Sequence, residues 1–124
     1  MINMIKPITN DESIELIKIK KVLQHIQLSM FKISSVVDCG KACDLVESAF
    51  NMQLICYGVM HGEQSRDELK DVMYTLQLAQ NTVEMLNLAL DQPMTSDFTT
   101  EITTAWWNTH AILVGNEHFK EYKT

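Results

Sequence analysis

The chain has 124 residues, 46% of them hydrophobic, and carries a formal net charge of −6. This hydrophobic share excludes a disordered polypeptide, and the length is enough for a core that needs no metal or disulfide staples. A single arginine among ten basic residues, set against sixteen acidic ones, argues against a nucleic-acid binder, because phosphate and base recognition favour the forked guanidinium.

Residues 1–9 read as a loose lead-in. Asn10 is placed to cap a first helix over about 11–33, with Asp11 and Glu12 in its first turn, where negative charge suits the helix dipole. Ser34 and Ser35 interrupt it. Ser35 and Asp38 have the spacing of a capping box for a second helix, over about 36–58, whose start Gly40 weakens. Gly58 and Gly62 bracket the next break. Ser65 and Glu68 repeat the capping-box spacing ahead of a third helix, over about 66–91, which Pro93 ends. Ser96 or Asp97 can cap a shorter fourth helix over about 98–114. Thr99, Thr100, Thr103 and Thr104 pull that segment towards strand, and Gly115 and Asn116 stop it. Residues 116–124 read as a second loose end that Phe119 and Tyr122 could pin.

Three of these segments carry the same apolar rhythm. Leu16, Ile19, Leu23, Ile26, Met30 and Ile33 step by three and four residues. So do Ala42, Leu45, Ala49, Met52, Cys56 and Val59, and so do Leu69, Val72, Leu76, Ala79, Val83, Leu86 and Leu90. Such steps hold one stripe on one side of a helix. The expected fold is therefore one all-α domain over 1–124: an antiparallel bundle of three long helices and a shorter fourth.

The residues that carry chemistry are sparse. No Glu or Asp stands three residues before any of the four histidines, so the helix-borne Glu-x-x-His pattern of metal bundles is missing. Cys39 and Cys43, four apart, have no further ligands nearby in sequence, and an odd cysteine count gives no closed disulfide framework. Both read as buried reduced thiols, and no metal or cofactor is expected. The four glycines form no phosphate loop, and no GxSxG elbow occurs. Glu63, Asp67, Glu68 and Asp71 read as a solvated helix start, and Lys18, Lys20 and Lys21 as the wet side of the first helix. The longest aliphatic run, Ala111 to Val114, falls far short of the roughly 20 residues that span a bilayer. Met1 to Pro7 lacks the features of a secretory leader, so a cytoplasmic protein is expected.

Once the stripes are paired, apolar residues are left over. Tyr74, Leu78, Met85 and Leu88 share a second side of the third helix. Phe50, Leu54 and Tyr57 lie off the main stripe of the second helix, and Ile14, Ile17, Leu28 and Phe31 off that of the first. Trp107 points about 100° away from Trp106 on a helix and is a candidate contact anchor. The expectation is a non-catalytic protein-binding module of the inhibitor, immunity, chaperone or phage-regulatory kind. It would dock Tyr74, Leu78, Met85, Leu88 and Trp107 on another protein or on a second copy, with no nucleic acid and no membrane. An alternative is a small-molecule or cofactor-binding bundle, enzymatic or not, with a pocket near Trp106, His110, Tyr57 and Cys56.

Overall fold

The computed structural model describes residues 7–89, 96–116 and 118–122. Four helices follow one another: α1 (Asn10–Ser34), α2 (Gly40–Met60), α3 (Leu69–Ala89) and α4 (Ser96–Val114). A 3-10 turn, Arg66–Glu68, precedes α3. The all-α bundle expected from the apolar rhythm is what forms. α1 packs chiefly on α2 and α3 on α4, and the square closes through α2 on α3 and α1 on α4. Glu15 of α1 lies opposite Asn108 of α4, and His25 opposite Glu101, so α1 and α4 run antiparallel.

The three stripes meet along the axis. Leu16, Ile19, Leu23, Ile26 and Met30 are buried, as are Ala42, Leu45, Ala49, Cys56 and Val59, and Leu69, Val72, Leu76, Ala79, Val83 and Leu86. Ile33 and Met52 pack at the edge of this core. α4 adds Phe98, Ile102, Ala105 and Ile112. Its threonines do not break it. Thr103 and Thr109 turn their hydroxyls onto the carbonyls of Thr99 and Ala105, one turn back, at 2.9 and 2.6 Å. Leu90 of the third stripe, residues 90–91 of the expected third helix and the Pro93 stop lie outside the described residues.

The helix starts differ from expectation. Thr9, not Asn10, caps α1: its hydroxyl accepts from the Glu12 amide at 3.1 Å, and Glu12 accepts from the Thr9 amide at 3.0 Å. The Ser35–Asp38 box does not form. The Ser35 hydroxyl is spent at the end of α1, donating to the Lys32 carbonyl at 2.6 Å, and α2 begins after Cys39 without a side-chain cap. Ser65 makes no capping bond either. The chain enters α3 through the 3-10 turn, with Arg66 drawn inward.

The ends of α2 and α4 turn on a glycine. The Gly62 and Gly115 backbones have φ of 75° and 76°. Glu63 N–H reaches the Gly58 carbonyl and Asn116 N–H the Ala111 carbonyl, both at 2.8 Å, which caps α2 and α4 with the same six-residue loop.

The ends that read as loose are tied down where they are described. Ile8, Phe119 and Tyr122 pack against the core. Arg66 holds the lead-in by donating to the Pro7 carbonyl at 3.0 Å.

Candidate interaction surface

Two polar clusters brace the bundle from inside. In the first, the Arg66 guanidinium forks onto the fully buried Glu12 carboxylate, Nη1 to Oε2 at 2.7 Å and Nη2 to Oε1 at 2.8 Å. Nη1 also donates to the Ile112 carbonyl at 2.7 Å. The sole arginine thus joins α1, the 3-10 turn and α4. Its hydrogen bond holds the Glu12 carboxyl below the ordinary glutamate range, against the opposing effect of burial.

In the second cluster, Glu15 Oε2 accepts from Asn108 Nδ2 at 3.0 Å and from the Tyr122 hydroxyl at 2.8 Å. Burial pushes this carboxyl above its ordinary range, with the two hydrogen bonds opposing. Asn108 also pairs with the Lys120 backbone, accepting its N–H at 2.7 Å and donating to its carbonyl at 2.9 Å. Sequence reasoning missed both clusters. The signal was there: Glu12 and Glu15 stand on the apolar side of α1, one turn before Leu16 and Ile19.

The outer surface holds the residues expected to bind a partner. Tyr74, Leu78, Met85 and Leu88 are 67, 38, 40 and 91% exposed on the side of α3 turned from the core. Trp107 does not join them. It lines an open groove of about 280 Å³ between α3 and α4 with Gln80, Glu84 and Thr103, and Lys120 Nζ lies 4.9 Å from the centre of its ring. A second apolar surface spans α1 and α2. Ile17, Leu28 and Phe31 on α1 and Phe50, Leu54 and Tyr57 on α2 are each between 45 and 63% exposed. Gln53 and Gln27, bonded at 2.8 Å, and Lys20, 5.1 Å from the Tyr57 ring centre, stitch the two helices along it.

The other chemistry-bearing residues are dispersed. Cys56 is core, and burial pushes its thiol up to about 12, which leaves it inert. Tyr57, its neighbour, faces outward and packs on His61, whereas Trp106 and His110 stack together on α4. α2 and α4 are diagonal in the bundle, so the four residues of the alternative pocket do not converge. His25 is half exposed, as expected of a water-facing residue, and also meets Glu101 at 3.2 Å and the Phe98 ring. Glu63, Asp67, Glu68 and Asp71 are all exposed. All three cysteines are free, but Cys39 is half-buried and Cys43 exposed, against the expected burial, because they stand at the start of α2, where the core is thin. Among the described residues no His, Cys, Asp or Glu group is arranged to hold a metal, and no helix is long and apolar enough to cross a membrane. Compared with known proteins, the chain matches no family model, no curated protein and no solved structure.

Proposed function

We propose that this protein is a cytoplasmic, non-catalytic protein-binding module that docks the outer apolar side of α3 on a partner protein or on a second copy of itself. One observation carries the reading. The core is complete without Tyr74, Leu78, Met85 and Leu88, yet these four large side chains stand together on one helix face, exposed by 38 to 91%. Isolated exposed apolar residues are ordinary, but grouped ones mark interaction sites on soluble proteins. Docking would act by occlusion or scaffolding, with the rigid bundle presenting a preformed helix face. Trp107 borders the neighbouring groove and would serve as a rim contact. The free, unreactive Cys56 suits a reducing compartment.

The test uses paired baits, the wild-type chain and a Leu78→Glu/Met85→Glu variant, against host lysate and against a differently tagged second copy. A protein captured by the wild type and depleted about tenfold or more on a folded variant is the expected result. Identical capture by both folded baits would remove α3 as the docking face.

A further inference from the structure

The tail that follows α4 is held by a set of contacts that read it as a receptor reads a ligand. After the Gly115 turn the chain doubles back along α4. There the Asn108 side-chain amide makes both hydrogen bonds to one peptide unit of the tail, at 2.7 and 2.9 Å to Lys120 N–H and C=O. A side-chain amide used this way recognises extended backbone whatever the side chains are. Three further contacts do depend on side chains. The Tyr122 hydroxyl donates to buried Glu15, the Lys120 ammonium lies over the Trp107 ring in the groove that Glu84 also lines, and Phe119 packs against the core. Glu15 is only 3% exposed, and among the described residues no cation forms an ion pair with it. A buried carboxylate met only by neutral donors is a poor stabiliser of a fold, but it is a selective acceptor for a hydroxyl.

We infer that the surface formed by Glu15, Trp107 and Asn108 is a recognition site for an extended peptide of the pattern aromatic–Lys–any–Tyr, occupied in cis by the chain's own residues 118–122. A partner segment of that chemistry binds in trans by displacing the tail. The tail then lowers the apparent affinity for such a segment in proportion to how firmly it is docked. This site meets the α3 face proposed above for docking only at its rim, through Trp107, and uses none of Tyr74, Leu78, Met85 and Leu88.

The experiment titrates a fluorescein-labelled peptide of residues 116–124 onto full-length chains and reads anisotropy. The Tyr122→Ala chain, whose own tail is weakened, should bind the peptide about tenfold more tightly than the wild type does, and adding Asn108→Leu should abolish that gain. Should far-UV circular dichroism show Tyr122→Ala to be unfolded, Tyr122→Phe removes the hydroxyl alone and should give about a fivefold gain. The Leu78→Glu/Met85→Glu chain should bind as the wild type does, which separates this site from the α3 face. Equal affinity for wild-type and weakened-tail chains, or no binding to either, would overturn the inference and leave the tail a structural strap.

Discussion

Glu12 and Glu15 stand three residues apart on one face of α1, both are buried, and their environments push them in opposite directions. Arg66 grips Glu12 with two parallel hydrogen bonds, so the native state favours its charged form. Glu15 receives only neutral donors among its hydrogen bonds, and its desolvation dominates. Isosteric replacement should separate them. Glu12→Gln takes the charged carboxylate out of the Arg66 fork and should cost about 3 kcal/mol, whereas Glu15→Gln keeps an acceptor for Tyr122 and should cost less than about 0.5 kcal/mol at neutral pH. Denaturant midpoints at pH 7 measure both. The pH dependence has opposite signs as well. Glu12 titrates lower in the fold than in the unfolded chain, so its contribution is present above the ordinary glutamate value and is lost as pH falls through the lowered one. Glu15 titrates higher in the fold, so its contribution is present below the ordinary value and is lost as pH rises through the raised one. Mild acidification should therefore stabilise through Glu15, and stronger acidification destabilise through Glu12. Each Gln variant should flatten its own limb of the curve.

At the level of elements, helix bodies were legible and helix starts were not. Apolar stripes repeat over several turns, and every repeat reinforces the phase, so the three long helices could be read from the sequence to within a few residues, whereas α4, which lacks such a stripe and carries four threonines, was open to strand as well. A cap rests on one side chain, and any nearby hydroxyl can compete for the role. Thr9 displaced Asn10 because Glu12 closes the reciprocal box. Ser35 was lost to the preceding carbonyl. The polar clusters escaped because their partners lie far apart in the chain, 54 residues for Glu12 and Arg66 and 93 for Glu15 and Asn108, separations no local pattern encodes. The outer stripe of α3 was legible, as it follows the same helical arithmetic as the core; that Trp107 faces a different groove was not, because only packing sets how neighbouring helices are rotated. The glycines give an element-level test. Gly62 has φ of 75°, so Gly62→Ala should cost about 1 kcal/mol. At Gly40, the first residue of α2, an added Cβ meets nothing within 4 Å, and Gly40→Ala should stabilise by about 0.5 kcal/mol. Thermal melts of the two variants would give shifts of opposite sign.

For the whole molecule, the division between core and leftover surface decides the functional reading. The bundle closes on itself through its inner stripes and buries Leu76 completely, while Leu78, two residues on, stays 38% exposed. If that division is right, α3 serves stability with one side and recognition with the other, and the two can be altered separately. The most direct measurement is the unfolding free energy of three chains by denaturant titration: wild type, Leu76→Ala, and Leu78→Glu/Met85→Glu. Leu76→Ala should lose about 2–5 kcal/mol, as a large buried side chain does when truncated. The double charge variant should lose clearly less, with its helicity unchanged. A double variant that loses as much as Leu76→Ala, or that unfolds, would show the outer stripe to be core and contradict the account.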